Sequence, residues 1–462
     1  MSSTDFQSLQ LRSELPQAIS ALNYKIMTPI QEQALPVMLA GHDVLAQANT
    51  GSGKTAAFTI ALLNKLDEKL YETQSLIICP TRELADQVSE EIRRLARTIG
   101  NVKVLTLCGG KPLGPQLASL QRAPHIVVGT PGRLLKLLQK KSLTLDSAQT
   151  LVLDEADRML DMGFSEDITE IISYVPKDRQ TLLFSATYPD EIQAISGHIQ
   201  RNPKDVRVTA SEASVHIAQK FFKVRKSERV QAFIQIVQHF QPESTLVFCN
   251  TIEQCQRLAG ELVKKGLHAL ALHGDLEQFK RDQVLVRFSN RSSSVLIATD
   301  VAARGLDIDE LDMVVNFELA RDAEVHVHRI GRTGRAGSEG LALSLFSEEE
   351  EHKVQNIQDY QKVKIERASP ADLVVKQTQT KNTVPVMTTI LISAGRKDKL
   401  RPGDIVGALT SNPEMSGDCI GKINVFDKVS YVAINSTRAA LAATILAEGK
   451  IKGRNFRVKQ LR

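Results

Sequence analysis

The stretch DVLAQANTGSGKT occupies residues 43–55. Its first half is an apolar run typical of a buried strand, and its second half is a glycine-rich turn that leads into a helix-like segment. Gly51 and Gly53 allow the backbone to curl so that several N–H groups point at one anion, which the positive end of the following helix also attracts. Lys54 would then reach the β and γ phosphates of a nucleotide, and the Thr55 hydroxyl would bind Mg²⁺.

A second set of candidates follows the apolar strand TLVLD at 150–154. Asp154 and Glu155 place two carboxylates at the carboxyl end of this strand, the edge at which open α/β sheets bind ligands. Asp154 is positioned to hold Mg²⁺ through water, and Glu155 to orient or deprotonate an attacking water. A helix cap is the alternative for an Asp-Glu pair alone, but Lys54 upstream favours nucleotide hydrolysis. The usual phosphate-loop pattern has glycine at position 48, where this chain has Ala48.

Short apolar runs alternate with longer amphipathic segments over the first 365 residues. This alternation predicts parallel sheets covered by helices on both faces. A polar stretch at 210–219 suits a linker, and the alternation restarts after it, so we predict two α/β domains. Strands are predicted at 43–48, 74–80, 103–107, 125–130, 150–154 and 180–186, and then at 244–250, 268–273, 294–300, 312–318 and 340–346.

The last part of the chain has a different order of elements. It follows a polar segment at 369–385, and the acidic run at 348–352 before that segment is predicted to start a helix. The order β-α-β-β-α-β is typical of ferredoxin-like and RRM-type folds, so we predict a small α+β domain. Its elements are predicted at 387–393, 402–410, 420–426, 430–434, 437–449 and 455–461.

Composition and charge limit the class of protein. The 462 residues contain five cysteines without paired spacing, which argues against disulfides or a zinc site and favours a reducing, cytoplasmic compartment. No apolar run is long enough to span a bilayer, so no membrane is expected. Residues 380–462 carry 14 Lys and Arg against 6 Asp and Glu, a net charge of +8, whereas the remainder carries −3. This asymmetry is compatible with a polyanionic partner for the last domain.

The motifs along the chain resemble those of the DEAD-box RNA helicases, in order and spacing, over roughly residues 1–365. They are AQANTGSGKT (46–55), PTRELA (80–85), TPGR (130–133), DEAD (154–157), SAT (185–187), LVFCNT (246–251), ATDVAARGLDI (298–308) and HRIGRTGRAG (328–337). TPIQ (28–31) is similar to the adenine-recognition motif of that family, with Phe6 as its upstream aromatic partner. Asn23-Tyr24 stands where the family often has Gly-Phe.

The resemblance implies two RecA-like domains, at 1–209 and 218–366, that bind ATP and Mg²⁺ in the cleft between them, followed by an RRM-like domain at 385–462. It assigns adenine recognition to Gln31, and a glutamine amide can pair with N6 and N7 of adenine. Coupling of the domains is assigned to Ser185 and Thr187. The implied nucleotide contacts are Phe6, Gln31, Ala48, Thr50, Gly51, Ser52, Gly53, Lys54, Thr55 and Asp307. The implied catalytic residues are Lys54, Asp154, Glu155, His328, Arg332 and Arg335, the last two as arginine fingers; Thr55 and Asp154 would hold the metal.

RNA is the implied partner, gripped mainly at phosphate and sugar, so that ATP hydrolysis should be stimulated by RNA. Candidate contacts in the first two domains are Thr81, Arg82, Gly109, Gly110, Thr130, Gly132, Arg133, Asn250, Gln278, Arg281 and Thr299. Candidates in the last domain are Lys397, Lys399, Arg401, Lys422, Lys428, Tyr431, Lys450, Lys452 and Arg454. In the bacterial helicases with such a tail, the tail anchors on a hairpin of 23S ribosomal RNA, which implies work on the pre-50S particle.

Three alternatives stay open. An ATP-gated RNA clamp or scaffold with slow turnover has less need of all four of Lys54, Glu155, Arg332 and Arg335. A DNA helicase would share the same motif spacing. A ferredoxin-like protein-binding domain is the alternative for residues 385–462, because the strand at 387–393 lacks aromatic residues. A monomer is expected, since no heptad repeat is evident.

Overall fold

The structure is a computed structural model that describes residues 5–48, 51–187, 190–208, 217–303, 311–334, 340–373 and 385–461. Contacts divide the chain into two compact units, one before residue 215 and one after it. The first unit holds domain 1, and the second holds domain 2 together with the C-terminal domain. Each unit is built on at least one β-sheet with its own apolar core.

Domain 1 contains a parallel sheet with, in its described part, seven strands in the order β3-β4-β2-β5-β6-β1-β7. The strands are β1 (Val44–Gln47), β2 (Ser75–Ile78), β3 (Val104–Leu107), β4 (Ile126–Gly129), β5 (Thr150–Leu153), β6 (Gln180–Ser185) and β7 (Lys204–Arg207). The helices are α1 (Leu15–Ala21), α2 (Pro29–Leu39), α3 (Lys54–Lys65), α4 (Arg82–Leu95), α5 (Leu113–Leu120), α6 (Pro131–Gln139), α7 (Ala156–Asp161), α8 (Ser165–Ser173) and α9 (Asp190–Ile199).

Strand alternation gives this sheet two cores. In β1, Val44 and Ala46 pack into one apolar cluster, while Leu45 packs into the cluster on the opposite face. Helices cover both faces, so the central strands β4, β2, β5 and β6 are buried along their whole length.

Domain 2 repeats this architecture, with the described strands in the order β10-β11-β9-β12-β13-β8-β14, all parallel. The strands are β8 (Ile217–Lys223), β9 (Thr245–Cys249), β10 (Ala269–Leu272), β11 (Val295–Thr299), β12 (Met313–Asn316), β13 (Gly340–Phe346) and β14 (Glu366–Ala368). The helices are α10 (Arg229–Phe240), α11 (Ile252–Lys264), α12 (Gln278–Ser289), α13 (Asp300–Ala303), α14 (Ala323–Ile330) and α15 (Glu351–Gln361).

The predicted pair of parallel α/β domains is therefore confirmed, with two corrections. Strand β8 begins at Ile217, so residues 217–219 belong to a strand rather than to the predicted linker. The rest of that linker, residues 210–216, lies outside the described residues. Strands β7, β8 and β14 were not predicted, because strands at or near a sheet edge carry a weaker apolar signal than central ones.

The C-terminal domain has the predicted β-α-β-β-α-β order. Its elements are β15 (Met387–Ile392), α16 (Pro402–Thr410), β16 (Ile420–Val425), β17 (Ser430–Asn435), α17 (Ala439–Glu448) and β18 (Val458–Leu461). The described strands form one antiparallel sheet in the order β16-β17-β15-β18. Ile390 and Val432 face the two helices and form the core of the domain, so the alternate residues face the other way.

The other face of this sheet packs on domain 2. Tyr431 and Leu461 are buried in one apolar cluster with Val286 of α12. Thr389 of β15 accepts a 3.3 Å hydrogen bond from the Asn290 amide, just beyond the end of α12. The sheet face that RRM domains present to single-stranded RNA is thus in contact with a helix of domain 2.

We predict that Val286→Asp separates this sheet from α12, because it places a charge in an apolar contact. Tyr431 should then become reactive toward tetranitromethane, which mass spectrometry of tyrosine nitration detects, whereas wild-type Tyr431 should resist. Val263→Asp is the matched control, since Val263 lies on α11 of the same domain and is 55% exposed. Equal nitration of Tyr431 in the wild type and the Val286 variant would contradict the prediction.

Candidate nucleotide site and RNA interface

The nucleotide site of domain 1 starts at the turn between β1 and α3. Gly51 and Gly53 adopt φ values of 84° and 94°, in the left-handed region that glycine tolerates best. A Cβ on Gly53 would lie 2.6 Å from Nε2 of Gln31, so no side chain fits there without displacing Gln31. Lys54 follows as the first residue of α3 and is 5% exposed.

Two buried charged groups at this site have an atom without a hydrogen-bond partner in the described part of the chain, namely Nζ of Lys54 and Oδ1 of Asp154. Burial raises the pKa of Asp154 to about 6, while nearby Lys54 lowers it and Glu155 raises it. A buried ammonium without an acceptor is unfavourable by several kcal/mol in an apolar setting, so this position is suited to an anion such as a phosphate.

The DEAD sequence is held by an ion pair and by hydrogen bonds that the motif alone did not reveal. Glu155 has a φ of 56°, and one of its carboxylate oxygens accepts a 2.6 Å bond from Nη1 of Arg158. Oδ2 of Asp157 accepts hydrogen bonds from the backbone N–H groups of Ala186 and Thr187, each at 3.2 Å. The Thr187 hydroxyl donates to the same oxygen at 3.1 Å. Arg158 and Asp157 were missing from the predicted set.

A cavity of about 410 Å³ opens beside the phosphate loop. Gln31 lies next to the loop, where its Nε2 donates to the Gly53 carbonyl at 3.1 Å and its Oε1 accepts from the Thr28 N–H at 2.9 Å. Gln31 is 5% exposed and is not among the residues that line the cavity, so its predicted contact with adenine is not seen in this arrangement. The cavity is lined by Tyr24, Gly51, Gly53, Lys54, Thr55, Ala56, Leu84, Gln87, Glu90, Glu91, Arg94, Asp154 and Glu155.

The structure does not bring every predicted nucleotide contact to this cavity. Phe6 is 6% exposed and packs in the core of domain 1, so it acts in packing; the aromatic side chain at the cavity is Tyr24. The Ala48 N–H donates to the Ser185 carbonyl at 3.0 Å, which ties the loop to β6. Thr50 lies outside the described residues, and Ser52 has a polar partner.

The RNA candidates of domain 1 converge at the carboxyl ends of β2, β3 and β4. Thr81 caps α4 by accepting a bond from the Leu84 N–H, and Arg82 begins that helix. The guanidinium of Arg82 lies against Gly110, where a Cβ would be 1.8 Å from Nη1. The Gly109 N–H donates to the Thr130 hydroxyl at 3.4 Å.

The third segment of domain 1 that is predicted to bind RNA joins the same edge. Arg133 donates to the Lys111 carbonyl at 3.1 Å, and its buried Nη1 has no partner among the described residues. Gly132 lies beside it in the first turn of α6, which Thr130 precedes. Three sequence-distant motifs therefore form one surface, as expected for a phosphate-binding edge.

Domain 2 contains a buried arginine, Arg329, that was not predicted and that contacts the predicted residue Asn250. Arg329 is 2% exposed and forms a bidentate ion pair with Asp300, at 2.6 and 2.8 Å. It also donates to Oδ1 of Asn250 at 2.7 Å, so the side chain of Asn250 is engaged within the domain. Arg329 lies between His328 and the buried Arg332 in sequence, and its burial identifies a structural centre at the ends of β9 and β11.

The other domain 2 candidates lie near the same ends. Nε2 of Gln278 donates to Asp282 at 2.7 Å, and Arg281 donates to the Ala302 carbonyl at 2.9 Å. Thr299 ends β11 and is 8% exposed. Asp307 and Arg335 lie outside the described residues.

The C-terminal candidates separate into two groups. Lys422 donates to the Ser289 hydroxyl of α12 at 2.9 Å, and Tyr431 is fully buried against the same helix. Burial, and secondarily the Asp282 carboxylate, raises the pKa of Tyr431 to about 12. These two residues contact domain 2, and the Tyr431 ring is not available to a base in this arrangement.

The remaining candidates form one exposed surface, here called the basic loop surface. It comprises Lys397, Lys399, Arg401, Lys428, Lys450, Lys452 and Arg454. Lys452 donates to the Lys399 carbonyl at 3.1 Å, and the Lys397 N–H donates to the Asp427 carbonyl at 3.0 Å. These contacts bring together the loop before α16, the β16–β17 turn and the turn before β18.

Comparison with known proteins identifies the family. Residues 28–195 match the profile of the DEAD/DEAH box helicases, residues 228–337 the helicase conserved C-terminal domain, and residues 389–460 the DbpA RNA binding domain. The chain is 51% identical over 445 residues to the ATP-dependent RNA helicase DbpA of Escherichia coli (strain K12), which covers 96% of both chains. The chain belongs to the DEAD-box ATP-dependent RNA helicases of the DbpA type.

Other members agree with this assignment. The chain is 43% identical to the DEAD-box ATP-dependent RNA helicase CshA of Geobacillus kaustophilus, over 80% of this chain and 79% of that protein. S. cerevisiae Dbp5 bound to RNA and ADP BeF3 is similar in structure, with a TM-score of 0.73 and 30% identity over 80% of this chain and 96% of that one. As a DEAD-box helicase, the protein hydrolyses ATP in an RNA-dependent manner. Among the described residues, no helix meets the length and apolarity that a membrane span needs.

We predict that Glu155→Gln preserves ADP and RNA binding but lowers kcat by about 10²-fold or more, because Gln cannot accept the proton of the attacking water. Steady-state ATPase rates and equilibrium binding separate the two effects. Glu166→Gln is the control, because this substitution removes the same charge from an exposed residue of α8. A kcat of the Glu155 variant close to that of the wild type would exclude the assigned role.

We also predict that Gly110→Ala raises the RNA concentration for half-maximal ATPase roughly tenfold, because the methyl group displaces the Arg82 guanidinium and removes a charge-assisted phosphate contact. Gly163→Ala is the matched control: its φ is 78°, similar to the 71° of Gly110, but a Cβ there meets no atom within 4 Å. Both variants should lose similar stability from backbone strain. An equal RNA requirement in the two variants would argue against Arg82 as an RNA contact.

Proposed function

We propose that this protein hydrolyses ATP with Mg²⁺ in domain 1 and uses the reaction to separate or remodel short RNA duplexes during assembly of the large ribosomal subunit. The observation that carries the proposal is the pair of buried, partly unsatisfied charges of Lys54 and Asp154 beside the cavity. An ammonium suits the phosphate chain of ATP. The Thr55 hydroxyl and the Asp154 carboxylate supply the hard oxygen ligands that Mg²⁺ prefers.

Glu155 is the proposed base or orienting group for the attacking water. Its pairing with Arg158 supports this role, because the buried ion pair holds the carboxylate in one place. In domain 2, His328 and Arg332 are the proposed partners of the phosphates, with Arg335 and Asp307 beside them in the sequence motifs. Arg329 then acts indirectly, since it fixes α14, on which His328 lies.

RNA binding to the core is proposed for the edge formed by Thr81, Arg82, Gly109, Gly110 and the Thr130–Arg133 turn. A cluster of backbone N–H groups, hydroxyls and guanidinium groups is suited to phosphate and sugar, so little sequence preference is expected from it. Gln278, Arg281 and Thr299 are the proposed counterparts in domain 2. Asn250 is a weaker candidate, because its side chain is engaged by Arg329.

Selection of an RNA target is proposed for the basic loop surface. Basic side chains on convergent loops can read the shape and phosphates of a folded RNA, such as a hairpin. The docked sheet face argues against single-strand stacking on Tyr431. A hairpin of 23S ribosomal RNA within a pre-50S particle is the proposed target, supported by similarity to DbpA along 96% of the chain, including the C-terminal domain.

An ATP-gated clamp with slow turnover is the second candidate. The combination of Lys54, Glu155 and Arg332 favours turnover, since a clamp has no need of a group that activates water. A monomer that acts in the cytoplasm is proposed, and the five cysteines, free and mostly buried, are consistent with a reducing compartment.

The decisive experiment measures steady-state ATPase activity with poly(A), a DNA duplex, bulk ribosomal RNA and fragments of 23S ribosomal RNA. We expect strong stimulation by one ribosomal fragment at concentrations at which poly(A) stimulates weakly. Equal stimulation by all RNAs would refute a ribosomal target but leave an RNA helicase; stimulation by DNA alone would refute RNA.

Charge reversal at the basic loop surface tests the tail. We predict that Lys397→Glu, Lys399→Glu and Lys452→Glu together raise the concentration of the preferred fragment for half-maximal ATPase about 100-fold or more, with no change for poly(A). Deletion of residues 380–462 should likewise leave an ATPase without preference among RNAs. Because the deletion also exposes Val286 of α12, the point variants test the role of the basic loop surface more directly. A preserved preference in the triple variant would show that the selecting surface lies elsewhere.

A further inference from the structure

The cavity of domain 1 carries a polar network that the motifs do not explain. Tyr24 stands where DEAD-box helicases often have phenylalanine, and its hydroxyl donates a 2.5 Å hydrogen bond to Oε1 of Glu91. The second oxygen of Glu91 accepts a 3.1 Å bond from Nη1 of Arg94. All three side chains line the cavity together with Lys54.

We infer that Glu91 and Arg94 are positioning residues of the nucleotide site, which hold the Tyr24 ring at the end of the cavity that receives the base. This inference rests on the proposed function, because it takes the cavity to bind ATP. The chemistry fits a positioning role. The hydroxyl of a tyrosine whose ring lines a cavity needs a hydrogen-bond acceptor, and a carboxylate within hydrogen-bond distance is a stronger acceptor than water.

The contact is built into the fold. Burial, and next the Glu91 carboxylate, raises the pKa of Tyr24 well above its usual range, so the hydroxyl keeps its proton and stays a donor. The Glu91 side chain is 13% exposed and the Arg94 side chain is 51% exposed. Glu91 is therefore the more buried of the two positioning residues.

Helix α4 gives the anchor its rigidity. Val88 and Ile92 on either side of Glu91 are fully buried in the core of domain 1. Tyr24, by contrast, lies between α1 and α2, in a segment without regular secondary structure. The hydrogen bond to Glu91 thus ties the α1–α2 segment to a packed helix. The Tyr24 ring is therefore ordered before the nucleotide binds, and less conformational entropy is lost on binding.

The same helix starts at Arg82, which belongs to the proposed RNA edge. Nine residues separate Arg82 from Glu91, which corresponds to about 13 Å along a helix. Helix α4 therefore has one proposed RNA contact at its start and the base-side anchor near its end. The anchor is distinct from adenine recognition by Gln31, so it is expected to set affinity rather than the choice between adenine and guanine.

The test measures the Kd of ADP by titration calorimetry and the KM and kcat of ATP with saturating poly(A), all in the full-length protein. Tyr24→Phe and Glu91→Ala should each raise the Kd and the KM by roughly three- to tenfold, while kcat stays within twofold. Glu91→Gln should remain within twofold of the wild type, because an amide oxygen still accepts the hydroxyl. The double variant Tyr24→Phe with Glu91→Ala should bind no more weakly than either single variant.

Tyr174→Phe is the matched control, because this substitution also removes a tyrosine hydroxyl. Tyr174 belongs to domain 1, is 38% exposed and is not part of the cavity lining. Its Kd for ADP should equal that of the wild type. An unchanged Kd in Tyr24→Phe, or additive effects in the double variant, would overturn the inference. A wild-type protein that binds no ADP would instead overturn the proposed function. Melting temperatures verify that each variant is folded, and a variant that melts early without a rise in Kd would show a merely structural role.

Discussion

The carboxyl edge of the parallel sheet is the constraint on which the site of domain 1 depends. Because neighbouring parallel strands end at the same edge, groups that follow different strands meet there. The strand order β3-β4-β2-β5-β6-β1 then divides this edge into two parts. The ends of β3, β4 and β2 carry the proposed RNA contacts, and the ends of β5 and β1 carry Asp154 and the loop before Lys54. One sheet thus presents the two proposed ligand sites side by side.

The boundary between these parts is held by buried charges that satisfy one another. Asp157 accepts three hydrogen bonds from the segment after β6, and Arg158 pairs with Glu155. Lys54 and Asp154, in contrast, each keep an unpartnered polar atom in the described structure. Unpaired buried charge lowers the free energy of unfolding, so the unpartnered atoms of Lys54 and Asp154 beside the cavity indicate stability exchanged for ligand affinity.

The C-terminal domain shows how one fold can use different surfaces. Its sheet face carries Thr389 and Tyr431 against the α12 segment, through a hydrogen bond and apolar contacts. Its loops carry the exposed lysines and arginines of the basic loop surface, which is suited to binding phosphate. Side chains of a β-strand alternate between the two faces of the sheet. The residues on the docked face therefore do not belong to the core, which lies between the sheet and its helices.

The sequence by itself determined the two parallel-sheet domains, the β-α-β-β-α-β tail and the residues at the strand ends, because hydrophobic period, glycine turns and motif spacing are local properties. Only the tertiary structure decided that Phe6 is a core residue while Tyr24 meets the cavity, that Arg329 organises domain 2, and that Tyr431 is covered by α12. Each of these depends on contacts between residues far apart in the chain, and packing sets such contacts without leaving a local pattern.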